Sequence, residues 1–261
     1  MFWESRGGRI ALTFMLGVGA LAGCTADVYP IAPDESPSPI PSPSPVDPDA
    51  ATATLVAGAV EFAIIAPMEQ EASAATFNLS AEVEGAVTLS IEAAQVAPGE
   101  PIMFILVSPG ILTATNDGGL VVTDATGAVV GAIAPPHWRA TLTLTADTEA
   151  RLALPLNTST TPDVFTVSLG TQGIRSAHWV ERSDGPSLFT DPTNFARTSS
   201  MPGWMLAWSE VIRYHPEADA PGLLDQIICH GIGAADKETW NLEPWRPDVG
   251  LAATLAARCN P

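Results

Sequence analysis

This 261-residue chain has a single lysine, Lys237, and 11 basic residues against 29 acidic ones, for a formal net charge of −18. Such a polyanion repels nucleic acid and an anionic membrane surface, so neither is an expected binding surface. Cysteine occurs only three times, at Cys24, Cys229 and Cys259, and no two stand in Cys-x-x-Cys spacing. His-Glu-x-x-His is also missing, so no zinc or other metal is expected. There is no Gly-x-Ser-x-Gly elbow, and no serine stands three residues before Lys237, which removes two common serine-nucleophile patterns. Gly231-Ile232-Gly233-Ala234-Ala235-Asp236 lacks the third glycine of a dinucleotide fingerprint and follows a helical pattern, so no cofactor is expected. The apolar run from Ile10 to Ala22 falls short of the roughly 20 residues that span a bilayer, and no later stretch does better.

Apolar residues make up 46% of the chain, enough for packed cores, and they are organised differently along it. Eight prolines fall between Pro30 and Pro48, around Ser36-Pro37-Ser38-Pro39-Ile40-Pro41-Ser42-Pro43-Ser44-Pro45. Residues 24–50 therefore read as a Pro/Ser-rich tether near polyproline II, reaching at ~3.1 Å per residue. From 51 to 172 the pattern is β. Period-two alternation recurs in Val87–Ile91, Thr141–Thr145, Arg151–Leu156 and Val164–Leu169. Pro98-Gly99, Asn116-Asp117-Gly118-Gly119, Thr126-Gly127 and Pro135-Pro136 punctuate it as turns. That spacing predicts an all-β, sandwich-like domain of seven or more strands with its own core, expected to fold without the rest.

At Gly173 the texture changes. Five of seven tryptophans, three of four histidines and the lysine fall in residues 174–261, read as a small α+β domain. Ser176–Glu181 and Ser187–Thr190 suggest a hairpin around Ser183-Asp184-Gly185-Pro186. Ser199 and Ser200 before Pro202 suggest a helix start, with Trp204, Met205, Trp208, Val211 and Ile212 on one face. A second helix is expected from Asp219 to Gly231, burying Leu223, Leu224, Ile227 and Ile228, and the stretch beyond it reads as a loop. The net charge is −15 over residues 24–173 but −4 over 174–261. This marks the first part as a solvated acidic surface or a patch for cations and basic partners.

Arg6 and Arg9, the short apolar run and Leu21-Ala22-Gly23-Cys24 together resemble a bacterial lipoprotein signal peptide with its lipobox. The resemblance implies removal of residues 1–23, a diacylglyceryl group on Cys24, and anchoring at the extracytoplasmic face of the cell membrane. In an exported compartment the two remaining cysteines are expected to pair as Cys229–Cys259. Closing that loop of about 31 residues is worth ~3–4 kcal/mol on the chain-entropy account. The alternative is a nucleophilic Cys229 beside His230, but neighbours on a helix point about 100° apart and do not readily share a proton.

Five pieces carry a second resemblance: His178-Trp179-Val180-Glu181-Arg182, Asp225-Gln226-Ile227-Ile228-Cys229-His230, Lys237, Trp240-Asn241-Leu242-Glu243-Pro244-Trp245-Arg246-Pro247, and Arg258-Cys259-Asn260-Pro261. Residues 174–261 resemble an actinobacterial family, domain of unknown function 2599, which brings no activity with it. Read as residues, Trp240 and Trp245 are core anchors or ligand-stacking platforms. Glu243 and Arg246 are an ion pair ordering a loop or, with His230 and Lys237, an anion-binding or acid–base set. The expected function is a lipid-anchored, non-catalytic envelope-binding or structural module, its partner a cell-wall glycan or an envelope protein. The alternative is an envelope-acting hydrolase or toxin-like enzyme using His230, Lys237, Glu243 and Arg246.

Overall fold

The computed structural model describes residues 51–67, 77–92, 96, 99–137, 139–155 and 164–261. The leader, Cys24, the tether, Pro98 and Leu156 lie outside the described residues.

Alternation does what it predicts in the first part. One antiparallel sheet runs β1 (Ala51–Ala57), β2 (Val60–Ala66), β5 (Ile102–Leu106), β10 (Glu149–Ala153), β9 (Thr141–Ala146). The other runs β3 (Phe77–Leu79), β4 (Ala86–Glu92), β11 (Val164–Gly170), β8 (Val129–Ile133), β7 (Leu120–Thr123), β6 (Ile111–Ala114). Every second residue of β2, β4 and β5 is buried. Phe62, Ile64, Ile102, Phe104 and Leu152 from one sheet share a core with Leu89, Ile91, Leu120, Ile133 and Leu169 from the other. Phe62 and Phe104 meet edge to face at 6.4 Å. Each such side chain stabilises by about 1.5–3 kcal/mol through burial. This is an all-β sandwich, as expected, followed by a small region of helices and a short sheet.

In that region β12 (Ile174–Arg182) and β13 (Gly185–Pro192) form the expected hairpin, turning at Ser183-Asp184. A third strand, β14 (Trp240–Leu242), pairs with β13. The helices are α1 (Asn194–Thr198), α2 (Ser200–Tyr214), α3 (Leu223–Gly233) and α4 (Leu251–Ala256), with a 3-10 turn at Pro216–Ala218. Three of these elements depart from the expected layout: α1 is additional to it, and β14 and α4 occupy the stretch that reads as loop. All three are shorter than the window in which periodicity shows itself.

Helix α2 buries more than one stripe. Trp204, Ala207 and Val211 pack into the core under the short sheet, with Ile227, Trp240 and Leu242. Leu206 joins Phe195 of α1 against Val121 and Ala132, on the outer face of the second sandwich sheet. Met205, Trp208 and Ile212 are only half buried and line a groove. The single-face expectation for Trp204, Met205, Trp208, Val211 and Ile212 is thus corrected, because α2 is wedged between two sheets. Leu224, expected in the core, is 37% exposed. The left-handed Gly222 starts α3 at Leu223, later than expected, and Leu224 comes to the groove.

The seam between the two parts is close. A Cβ on Gly170 would lie 2.4 Å from the Phe195 ring, so only glycine admits α1 there. Ser199 caps nothing with its side chain; instead Asp117, from the β6–β7 turn, accepts from the Met201 amide at 2.8 Å. Arg175 forks onto Glu84 at 2.6 and 2.8 Å and reaches Asp191 at 2.9 Å. Glu210, buried in the middle of α2, accepts from the Gly173 and Ile174 amides, both at 2.8 Å. Burial pushes its carboxyl above the usual range, against the pull of those two amides.

Candidate functional site

The motif Trp240–Pro247 starts as strand because Trp240 and Leu242 face the core and are fully buried. Trp240 donates its indole N–H to the Ala234 carbonyl at 3.2 Å. Its ring lies parallel to His230, centroids 6.4 Å apart, and the Arg197 guanidinium lies 5.9 Å from its centroid. His230 Nε2 donates to the Asn241 carbonyl at 3.1 Å, which leaves Nδ1 as an unprotonated, buried nitrogen without a partner among the described residues. Burial is the main reason that His230 is held below the usual histidine range.

Beyond β14, the buried amide of Gln226 on α3 takes the place of a neighbouring strand. It accepts from the Glu243 amide at 2.8 Å and donates to the Glu243 carbonyl at 3.1 Å. The Glu243 carboxylate pairs with Arg246. Arg246 also holds the Asn260 side chain at 3.1 Å and the Pro261 carbonyl at 3.3 Å, and stacks over Trp245 at 4.4 Å. Trp245 is seated on Gly185, where a Cβ would meet its ring at 2.5 Å. Cys229 and Cys259 form a disulfide, Cα atoms 5.6 Å apart, tying the same tail to α3.

Lys237 stands apart: its side chain is exposed and has no partner among the described residues, while its carbonyl accepts from Arg197. Arg197 also donates to the carbonyls of Pro192, Ala235 and Glu238. So His230, Glu243 and Arg246 are spent on internal bonds, and neither of the two described cavities is lined by them or by Lys237. Cys229 is in the disulfide and is not a free thiol. Among the described residues no group of His, Cys, Asp or Glu is placed to hold a metal ion.

Two recesses flank α2. One, of about 530 Å³, is polar and includes Arg175, Glu210, Tyr214 and His215. The other is a groove of about 640 Å³ between the β7–β8 turn and the corner of α2 and α3. Its apolar lining is Val129, Val130, Met205, Trp208, Ile212 and Leu224; Asp124 and Asp219 also line it. Trp208 and Leu224 appeared in the sequence only as helix-face residues, and nothing local marks them as lining a recess.

Residues 174–261 match the model of a family described as protein of unknown function (DUF2599). The match covers the C-terminal third of the chain. Uncharacterized proteins of Mycobacterium bovis and Mycobacterium tuberculosis are each 42% identical over 91 residues, covering 32% of this chain and 62% of theirs. One from Mycobacterium leprae is 39% identical over 75 residues, covering 26% and 61%. The chain thus spans less than two thirds of these curated relatives. No solved structure matches. Within the DUF2599 region, the quoted pieces that include Gln226, Cys229, Trp240, Glu243, Arg246 and Asn260 meet in one clasp around α3, β14 and the tail.

Proposed function

We propose that this chain is a lipid-anchored surface protein whose folded part is a non-catalytic module that binds an envelope glycan. The pattern ending in Leu21-Ala22-Gly23-Cys24 and the proline-rich segment support anchoring and presentation at a distance from the membrane. The observation that carries binding is the groove. Its aromatic floor, Trp208, is half exposed at the seam of two packed regions, the usual place for a ligand recess. Its volume of about 640 Å³ suits a few sugar rings, and an indole lining it can stack on a sugar ring. The clasp in the DUF2599 region counts against the hydrolase alternative, since His230, Glu243 and Arg246 are already bonded to one another or to the backbone and Lys237 stands apart from them.

Two measurements test the proposal. Cys24→Ser should move the protein from the membrane fraction to the medium; retention at the wild-type level removes the anchoring half. Trp208→Ala should abolish retention on purified envelope glycan while circular dichroism stays close to wild type; melting should fall, because Trp208 also packs against the core under the short sheet. Undiminished retention of a folded Trp208→Ala protein removes the groove as the binding site.

A further inference from the structure

We propose that the groove selects a glycan with free amino groups, a cationic sugar chain, over a neutral N-acetylated or acidic one; this rests on the glycan reading above. The geometry points to it through the charges around Trp208. Asp124 lies on the sandwich wall, in the turn between β7 and β8, and Asp219 on the opposite wall, ahead of α3. Asp219 has no side-chain partner among the described residues. Asp124 is fixed as an anion by the Thr126 hydroxyl at 2.6 Å and the amides of Thr126 and Ala128 at 2.8 and 3.1 Å, all on Oδ1. Those donors hold its carboxyl below the usual range, and Oδ2 keeps its capacity to accept.

The one basic residue of the lining, Arg213, does not cancel these charges in place. Its guanidinium stacks at 4.7 Å over Tyr214, donates to the Tyr214 hydroxyl at 2.8 Å and reaches Glu210 at 3.4 Å. Tyr214 and Glu210 line the other recess, so the charge of Arg213 is offset by Glu210 on that side rather than by the groove carboxylates. What remains is an apolar floor with an aromatic ring between two carboxylate-bearing walls. A ring with apolar C–H faces and an ammonium substituent satisfies both parts: the face lies on Trp208, and the ammonium donates to Asp219 or Asp124 and adds cation–π attraction. An acetamido sugar has only the first, and a carboxylated sugar is repelled.

The test uses the purified full chain and two probes of equal length, a β-1,4-linked glucosamine oligosaccharide and its fully N-acetylated form. Both are titrated by calorimetry and tryptophan fluorescence, at slightly acidic pH and low salt. The free-amine probe should bind about tenfold more tightly, from two rim pairs each of modest worth. That advantage should shrink in high salt. Asp219→Asn, which loses no internal bond, should remove most of the preference while leaving the N-acetylated probe unaffected. Glu238→Gln, the same charge change outside the groove, should leave the preference intact. Trp208→Ala should lose both probes. Equal binding of the two probes, or a preference that survives Asp219→Asn or falls equally with Glu238→Gln, overturns the amine selectivity and leaves the glycan reading standing. If neither probe binds, the glycan reading fails and the selectivity with it.

Discussion

The sandwich and the DUF2599 region solve the same problem, burying apolar surface, with different materials. The sandwich does it by repetition: eleven strands among the described residues, in two sheets, with a core built from aliphatic and phenyl side chains. The DUF2599 region has a three-stranded sheet and helices of 15 residues at most, too little to close a core by repetition. It uses discrete fasteners instead: the Cys229–Cys259 bridge, the Gln226–Glu243 amide clasp, Arg197 on four carbonyls, and Arg246 on the tail. A dense mixture of Trp, Glu, Arg and His in a short sequence has the composition of an active site. Here most of it is the hardware of a small region.

The sharpest way to break that contrast is to remove a fastener. Trp240→Ala deletes a fully buried indole, with its bond to Ala234 and its stack on His230, and should cost about 3–5 kcal/mol. Replacing Cys229 and Cys259 together with serine should cost about 3–4 kcal/mol. Amide exchange should show β14, α4 and the tail losing protection first, while β4 and β11 keep theirs. Equal loss in both regions would mean that the fasteners serve the whole molecule and the contrast is false. Two freely alkylatable thiols in the folded, unreduced protein would remove the bridge itself.

The seam is the next place to press. Gly170→Ala sets a methyl against the Phe195 ring and should cost about 1–3 kcal/mol. Adding Phe195→Leu should restore part of that cost, which a backbone effect at Gly170 would not allow. A fragment of residues 51–172 tests the expectation that the sandwich folds alone. It must then carry Val121 and Ala132 uncovered, since Phe195 and Leu206 supply their cover.

These tests also mark where the sequence was readable. The strands β4, β9, β10 and β11 follow from their own alternation, because a half-buried strand writes its burial into neighbouring residues. The hairpin at Ser183-Asp184 and the body of α2 are local in the same way. The Asp117 cap on α2 spans 84 positions and the Glu84–Arg175 fork 91, and nothing near either partner announces them. Gln226 is similar: it reads as a polar residue on an apolar helix until β14 is beside it. The candidate site divides along the same line. Cys229–Cys259 could be put forward because the lipobox reading leaves two cysteines in an exported compartment, and the Glu243–Arg246 pair from spacing. The groove could not, because its walls come from β8, α2 and α3, and Trp208 looks like any core tryptophan on a helical wheel.

The smallest expected effect concerns protons and again separates the two regions. His230 is held neutral mainly by burial; the Lys237 charge adds to this, while the bond to Asn241 and the Glu243 charge oppose it. The unfolded chain therefore takes up a proton at His230 near the usual pKa of about 6.5, where the folded chain does not. Stability from this group is present above that value and is lost as pH falls below it, at no more than about 1.4 kcal/mol per pH unit. Glu210 runs the opposite way. Its carboxyl is raised in the fold, so its contribution is present below about 4.5, its usual value, and is lost as pH rises toward the raised one. In the sandwich, Asp124 is held below its usual range, so its contribution is lost only at still lower pH. From about pH 7 to about pH 5 the denaturant midpoint of the wild type should thus drop relative to that of His230→Gln. The Glu210 and Asp124 contributions are common to both proteins and cancel in the difference. Parallel midpoints would mean that His230 takes its proton within the fold, at the bare Nδ1, and the nitrogen that looks spent would return as a candidate base.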